Sequence, residues 1–142
     1  MSVLTDEARA ALTGGHLAHL TTLGRDGSPH VTIVWVGLEG DEIVTGHLGK
    51  YQKLRNIERD HRVVLSMVTG GRNPIGLDNY LVVYGSARIT EGGAPELLQR
   101  LAHVYIGPDV PFPPMEFPPP GYICRITPHR LGGTGPWTEP YP

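Results

Sequence analysis

The strongest constraint on this chain is a change of period after residue 15. Three short β-type runs follow one another, joined by tight turns that leave no room for a crossover helix. Leu17-Ala18-His19-Leu20-Thr21-Thr22-Leu23 reads as a strand. Arg25-Asp26-Gly27-Ser28 is a hairpin turn signalled by Asp-Gly. His30-Val31-Thr32-Ile33-Val34-Trp35-Val36 is rich in β-branched and aromatic residues and forms the second strand. After the turn Glu39-Gly40-Asp41, Glu42-Ile43-Val44-Thr45-Gly46 is the third. Strands linked this closely pair as an antiparallel meander, which excludes a βαβ architecture.

The rest of the chain alternates helix and strand. Thr5 caps a short helix with Asp6 and Glu7 in its first turn, and Gly14-Gly15 stops it. Residues 51–59 are helical, with Tyr51, Leu54 and Ile57 near one face and Lys53, Arg55, Glu58 and Arg59 toward water. Residues 62–68 and 79–90 are the fourth and fifth strands, separated by Gly70-Gly71-Arg72-Asn73-Pro74. Residues 95–105 form a helix with Leu97, Leu98, Leu101 and Val104 inside. Tyr122-Ile123-Cys124-Arg125-Ile126 is the sixth strand. Residues 108–120 hold seven prolines and make an extended loop. The expectation is a mainly β (α+β) fold. It is a six-stranded antiparallel split β-barrel with short flanking helices, forming one domain over 1–142 with an irregular tail over 132–142.

Composition narrows the function classes. A chain of 142 residues with 39% hydrophobic and 18% charged side chains can bury a core. The formal net charge of −2 argues against a nucleic-acid binder. One cysteine, Cys124, allows no internal disulfide. Asp6, Glu7 and Arg9 break any apolar leader, and no run is long enough to span a bilayer, so a cytoplasmic protein with no membrane partner is expected. The seven histidines are scattered without HExxH or Cys/His spacing, so no metal site is expected. No GxSxG or βαβ-borne GxGxxG occurs.

Charge patterning singles out residues 50–62. Lys50, Lys53, Arg55, Arg59 and Arg62 stand there against Glu58 and Asp60, and both lysines of the chain are among them. They follow Thr45-Gly46, where a strand gives way to a helix. Helix-start N–H groups with cationic side chains make an anion site, commonly for phosphate, although a charge run of this kind is equally a solvated helix face. The strand bearing Ile33, Val34 and Trp35 would lie beside this region if the second and third strands are neighbours. It could then carry a flat ring, or be plain core.

These segments, taken in order, resemble a known family. The run Gly15-His16-Leu17-Ala18-His19-Leu20-Thr21-Thr22-Leu23, then Gly27-Ser28-Pro29-His30-Val31-Thr32, then Lys53-Leu54-Arg55-Asn56-Ile57-Glu58-Arg59-Asp60 is similar to the pyridoxamine 5′-phosphate oxidase-like, FMN-binding split-barrel superfamily. Within it the chain resembles the coenzyme F420 (deazaflavin)-dependent oxidoreductases of actinobacteria. Gly121-Tyr122-Ile123-Cys124-Arg125-Ile126-Thr127-Pro128 and Gly135-Pro136-Trp137 add to the likeness.

The resemblance implies a homodimeric oxidoreductase moving a hydride between the deazaflavin and a small conjugated organic substrate. FMN is the alternative cofactor, and a flavin or deazaflavin carrier without turnover the alternative role. It implies that Lys53 binds phosphate, with Asn56 closing the same helical turn; Arg55 and Lys50 join the expected site from the charged segment. Ile33, Val34 and Trp35 would border the ring, Thr45 and Gly46 would lie over the phosphate, and Asn79 and Tyr80 would approach from the partner subunit. The chain departs from the family where Tyr51 replaces an arginine two residues before the lysine; Lys50 would stand in as a point charge. No residue is assigned to catalysis. His30, Tyr80 or water could supply the accompanying proton.

Overall fold

The structure, a computed structural model, describes residues 2–138. In chain order it places α1 (Asp6–Leu12), β1 (Ala18–Leu23), β2 (Pro29–Val34), β3 (Gly37–Glu39), β4 (Glu42–His47), α2 (Gln52–Arg59), β5 (Arg62–Arg72), β6 (Asp78–Glu91), α3 (Ala94–Tyr105) and β7 (Tyr122–Thr134). Local chemistry sets most boundaries. Thr5 caps α1 by accepting from Ala8 N at 3.1 Å. In the β1–β2 turn, Asp26 accepts from both the backbone and the hydroxyl of Ser28. Those bonds hold its carboxyl below the usual aspartate range.

The sheet has seven strands in the order β2-β1-β5-β6-β7-β4-β3, all neighbours antiparallel. Two expectations change here. The seventh strand is β3, three residues of what reads from sequence as a connection. And the sheet is open, because no ladder joins β2 to β3 among the described residues. Yet only Trp35 and Val36 separate these two strands in the chain, although they stand at opposite ends of the sheet. Three steps of chain, from Val34 to Gly37, span at most ~11 Å. The sheet must therefore coil until its ends nearly meet, leaving a seam instead of a closed barrel. β3 is tied in by Glu39, which accepts from Arg125 at 2.9 Å and Arg100 at 3.3 Å.

The coiled sheet wraps one apolar core that includes Leu12, Leu20, Ile43, Leu54, Ile57, Leu65, Leu81 and Ile126. A second, smaller core joins Val44, Leu97, Leu101 and Ile123, with Trp35 and Tyr105 packed on it. β4 divides the two: Ile43 faces the first and Val44 the second, as the period of two requires. Each such buried aliphatic side chain contributes roughly 1.5–3 kcal/mol.

Three further details differ from expectation. Tyr51 is exposed, and Asn56 takes the third buried place on α2. Val104 is half exposed rather than internal. Of the tail over 132–142, residues 132–134 continue β7, paired with β6, while 139–142 lie outside the described residues. Residues 108–120 carry no regular element.

Candidate functional site

The seam forms a cleft. β3 pairs only with residues 42–44 of β4, so Gly46 and His47 stand on a free edge. Facing it is the free edge of β2 at Ile33 and Val34, continuing into Trp35. Between them lies a cleft of about 220 Å³ bounded also by Lys53, Leu98 and Phe112. Five residues singled out from sequence, Ile33, Val34, Trp35, Gly46 and Lys53, thus meet in one place. They meet across the seam, however, and not through pairing of β2 with β4, which never touch in the ladder.

Each wall follows from local structure. Gly46 is needed for α3 to approach: a Cβ there would lie 3.1 Å from Leu98 Cγ. Trp35 is stacked on Tyr105, with ring centroids 5.3 Å apart and planes 12° from parallel, and Phe112 lies 5.1 Å away on its own axis of tilt. The Tyr105 hydroxyl accepts from Val36 N at 3.0 Å and donates to His16 O at 2.7 Å. The indole is therefore held by the same group that pins the β2–β3 link.

The polar end is formed by Lys53 and His47. Lys53 is half-buried and has no carboxylate partner among the described residues. Burial holds its ammonium below the usual lysine range. His47 is buried, and its Nε2 lies 2.6 Å from Thr45 Oγ1. Burial first, and the Lys53 charge second, push its imidazole down to about 4, so it is neutral at ordinary pH. Behind it, burial pushes the Cys124 thiol up to about 12, which rules out a reactive thiolate there.

The other expected residues are not in the cleft. Thr45 points into the core and is engaged by His47. Asn56 is buried and donates to Thr22 Oγ1 at 3.0 Å, while its Oδ1 accepts from Gln52 and Arg59. Its hydrogen-bonding capacity serves the packing of α2 on β1. Arg55 is exposed on α2. Lys50 pairs with Glu58 at 2.9 Å, lies over the Tyr122 ring, and borders a different cleft with Glu91 and Pro120. Asn79 and Tyr80 stand near the start of β6, where Tyr80 lies opposite Val68 on one side and Thr134 on the other, and neither lines the Lys53 cleft of its own chain.

Sequence reasoning missed His47, Leu98 and Phe112. His47 directly follows the strand end at Gly46, and strand alternation puts it on the face of Thr45. Leu98 reads as ordinary helix core. Phe112 is hidden among prolines, and nothing local says where that loop lies.

Among the described residues no helix is long and apolar enough to cross a membrane. Over 71 residues the chain is 41% identical to an F420H(2)-dependent biliverdin reductase of Mycobacterium tuberculosis (strain CDC 1551 / Oshkosh), an overlap of 49% of this chain and 52% of that protein. The match thus spans about half the length of that curated relative. A solved structure of an F420 reductase superposes with a TM-score of 0.70 at 25% identity, covering 91% of this chain and 98% of that one. A conserved hypothetical protein from Mycobacterium tuberculosis shares the fold with a TM-score of 0.68 at 24% identity, covering 92% and 84%. A family model described as Pyridoxamine 5′-phosphate oxidase matches residues 4–132. That match takes in the seam, both walls of the cleft and Lys53, and the chain belongs to the pyridoxamine 5′-phosphate oxidase family.

Proposed function

We propose that this chain is an oxidoreductase that binds the deazaflavin coenzyme F420 at the seam and moves a hydride between it and a small conjugated organic molecule. The observation that carries the reading is Lys53. A half-buried ammonium without a carboxylate partner among the described residues is an unfavourable arrangement by itself, and an anionic ligand relieves it. The apolar edge of Ile33, Val34 and Trp35 beside that cation suits a flat ring that bears a phosphate. Similarity to an F420 reductase and an F420H(2)-dependent biliverdin reductase favours the deazaflavin over FMN.

The donor set fits such a group. Lys53 would hold its phosphate, Gly46 leaves the strand edge open to it, and the β2 edge would border its ring. When bound, the coenzyme supplies the hydride. The chain supplies position. Trp35 is immobilised by Tyr105, and neutral His47 offers a hydrogen-bonding ring that adds no second positive charge beside Lys53. The described cleft holds no carboxylate, in keeping with a reaction whose chemistry resides in the cofactor.

A homodimer belongs to the same proposal. The outer face of β2, β1, β5 and β6 leaves Val31 56%, Ile33 58% and Val68 64% exposed, and Tyr80 and Tyr84 share that surface. An apolar groove of about 360 Å³ runs across it between Leu23, Val64 and Tyr84. A face this apolar is covered in a stable protein, and a second copy would bring its own Asn79 and Tyr80 toward the cleft. Light scattering at micromolar concentration is expected to give a dimer, and Val68→Asp a monomer. A monomeric parent chain contradicts this part.

The coenzyme assignment is tested by fluorescence titration with coenzyme F420 and, in parallel, FMN. Binding of F420 at least tenfold tighter than FMN, with oxidation of the reduced coenzyme by enones or quinones, is the expected result. The opposite order would assign the site to FMN. Tight F420 binding without turnover across the panel would make the chain a carrier.

A further inference from the structure

The loop over residues 108–120 lacks regular structure, yet α3 fixes its first half. Gln99 holds it at two points: its Nε2 donates to Val110 O at 2.9 Å, and its Oε1 accepts from Phe112 N at 2.7 Å. His103 Nδ1 lies 3.1 Å from Pro108 O, one turn further along the helix. A primary amide that satisfies both a carbonyl and an N–H of one loop sets its position as a strand neighbour would. The consequence appears at Phe112. Its ring is set against Trp35 at 5.1 Å and 49°, and it bounds the seam cleft with Leu98. The flank of the cleft made by Phe112 and Leu98 is thus supplied by a loop and a helix.

We infer that Phe112 is the specificity-determining wall for the hydride acceptor, and that Gln99 is the positioning residue that holds it. This rests on the proposed F420 reading. With Lys53 and the β2 edge occupied by the coenzyme, the flank made by Phe112 and Leu98 is the surface left for the second reactant. Trp35 is stacked on Tyr105 on one side and touches Phe112 on another, so the two rings form one continuous wall. The position of Phe112 in that wall sets how much room the cleft leaves beside the coenzyme. Flat conjugated acceptors pass, and acceptors with bulk out of the plane of the double bond do not. Hydrophobic walls of this kind discriminate a methyl group by roughly tenfold or more.

Two enones that differ only in that respect make the test: 2-cyclohexen-1-one and 4,4-dimethyl-2-cyclohexen-1-one, each with reduced coenzyme F420 and the full chain. Wild type is expected to favour the unsubstituted enone by about tenfold or more in kcat/KM. Phe112→Ala narrows that ratio to within about threefold. Gln99→Leu narrows it less, with the change falling on KM, and Gln99→Glu, which keeps the acceptor for Phe112 N, recovers part of it. Coenzyme affinity, read by fluorescence, stays within about twofold in Phe112→Ala. An unchanged ratio in Phe112→Ala overturns the inference. So does a ratio that moves only together with coenzyme affinity, which would make Phe112 part of the coenzyme site. A wild-type chain that binds the coenzyme but reduces neither enone sinks the acceptor wall and leaves the coenzyme reading standing. A chain that does not bind the coenzyme removes both.

Discussion

Lys50 and Lys53 are three residues apart, yet they end in different environments. Lys53 sits within α2, half-buried at the seam, with no carboxylate partner among the described residues. Lys50 pairs with Glu58 and lies over the Tyr122 ring. The difference comes from one backbone position. Three residues apart on one helix share a face, but Tyr51 is the N-cap, extended at φ −72° and ψ 169°. Lys50 therefore precedes the helix and leaves in another direction. A paired exposed cation has little left to offer a ligand, whereas a buried unpaired one depends on a ligand. On the proposed reading, charge density in sequence marks the neighbourhood of an anion site, and burial decides which cation would serve it.

The largest effect expected around Lys53 is on acid stability. In the folded chain, burial and then the Lys53 charge push the His47 imidazole from 6.5 down to about 4. Between those values the unfolded chain takes up a proton that the folded chain does not. Stability contributed by neutral His47 is thus complete above pH 6.5 and falls as pH drops toward 4, by about 3 kcal/mol. Urea titrations at pH 7 and pH 4.5 check this, and His47→Gln should remove most of the slope. A slope that persists in the variant would place the acid sensitivity elsewhere.

Next comes Asn56, which shares α2 with Lys53 but faces the core. Asn56→Ala leaves the buried Thr22 hydroxyl without its donor and removes the acceptor for Gln52 and Arg59. A loss of about 2 kcal/mol in unfolding free energy is expected. Coenzyme affinity of the folded fraction should not change. Affinity falling with stability intact would return Asn56 to the binding site. The smallest effect belongs to the exposed pair: Glu58→Gln is expected to shift stability by about 0.5 kcal/mol or less. A larger shift would mean that Lys50 matters to the fold more than its exposure suggests.

How far the sequence carried depended on how local each cause was. Thr5, Asp26-Gly27 and the alternation of residues 30–34 act within a few residues, and their elements are where local chemistry puts them. Glu39 could not be read as a strand residue, because its partners Arg125 and Arg100 lie far along the chain. Trp35 and Gly46 were both legible as site residues, but through an assumed pairing of their strands. The actual cause is the coiling of the sheet, which a two-residue link imposes and no local pattern displays. Phe112 lies at the cleft on a loop whose backbone is bonded to Gln99, a partner no local pattern in the loop displays. Asn56 entered the expected site through the resemblance, while the helix period that turns it inward is present in Leu54 and Ile57.

The central claim is that the seam cleft is an anion-anchored ring site served by Lys53 alone of the two lysines. Fluorescence titration of wild type, Lys53→Ala and Lys50→Ala with coenzyme F420 tests it most directly. Loss of a charge-assisted contact predicts affinity weaker by roughly 30-fold in Lys53→Ala and within about threefold of wild type in Lys50→Ala. Equal losses in the two variants, or none in Lys53→Ala, would contradict it.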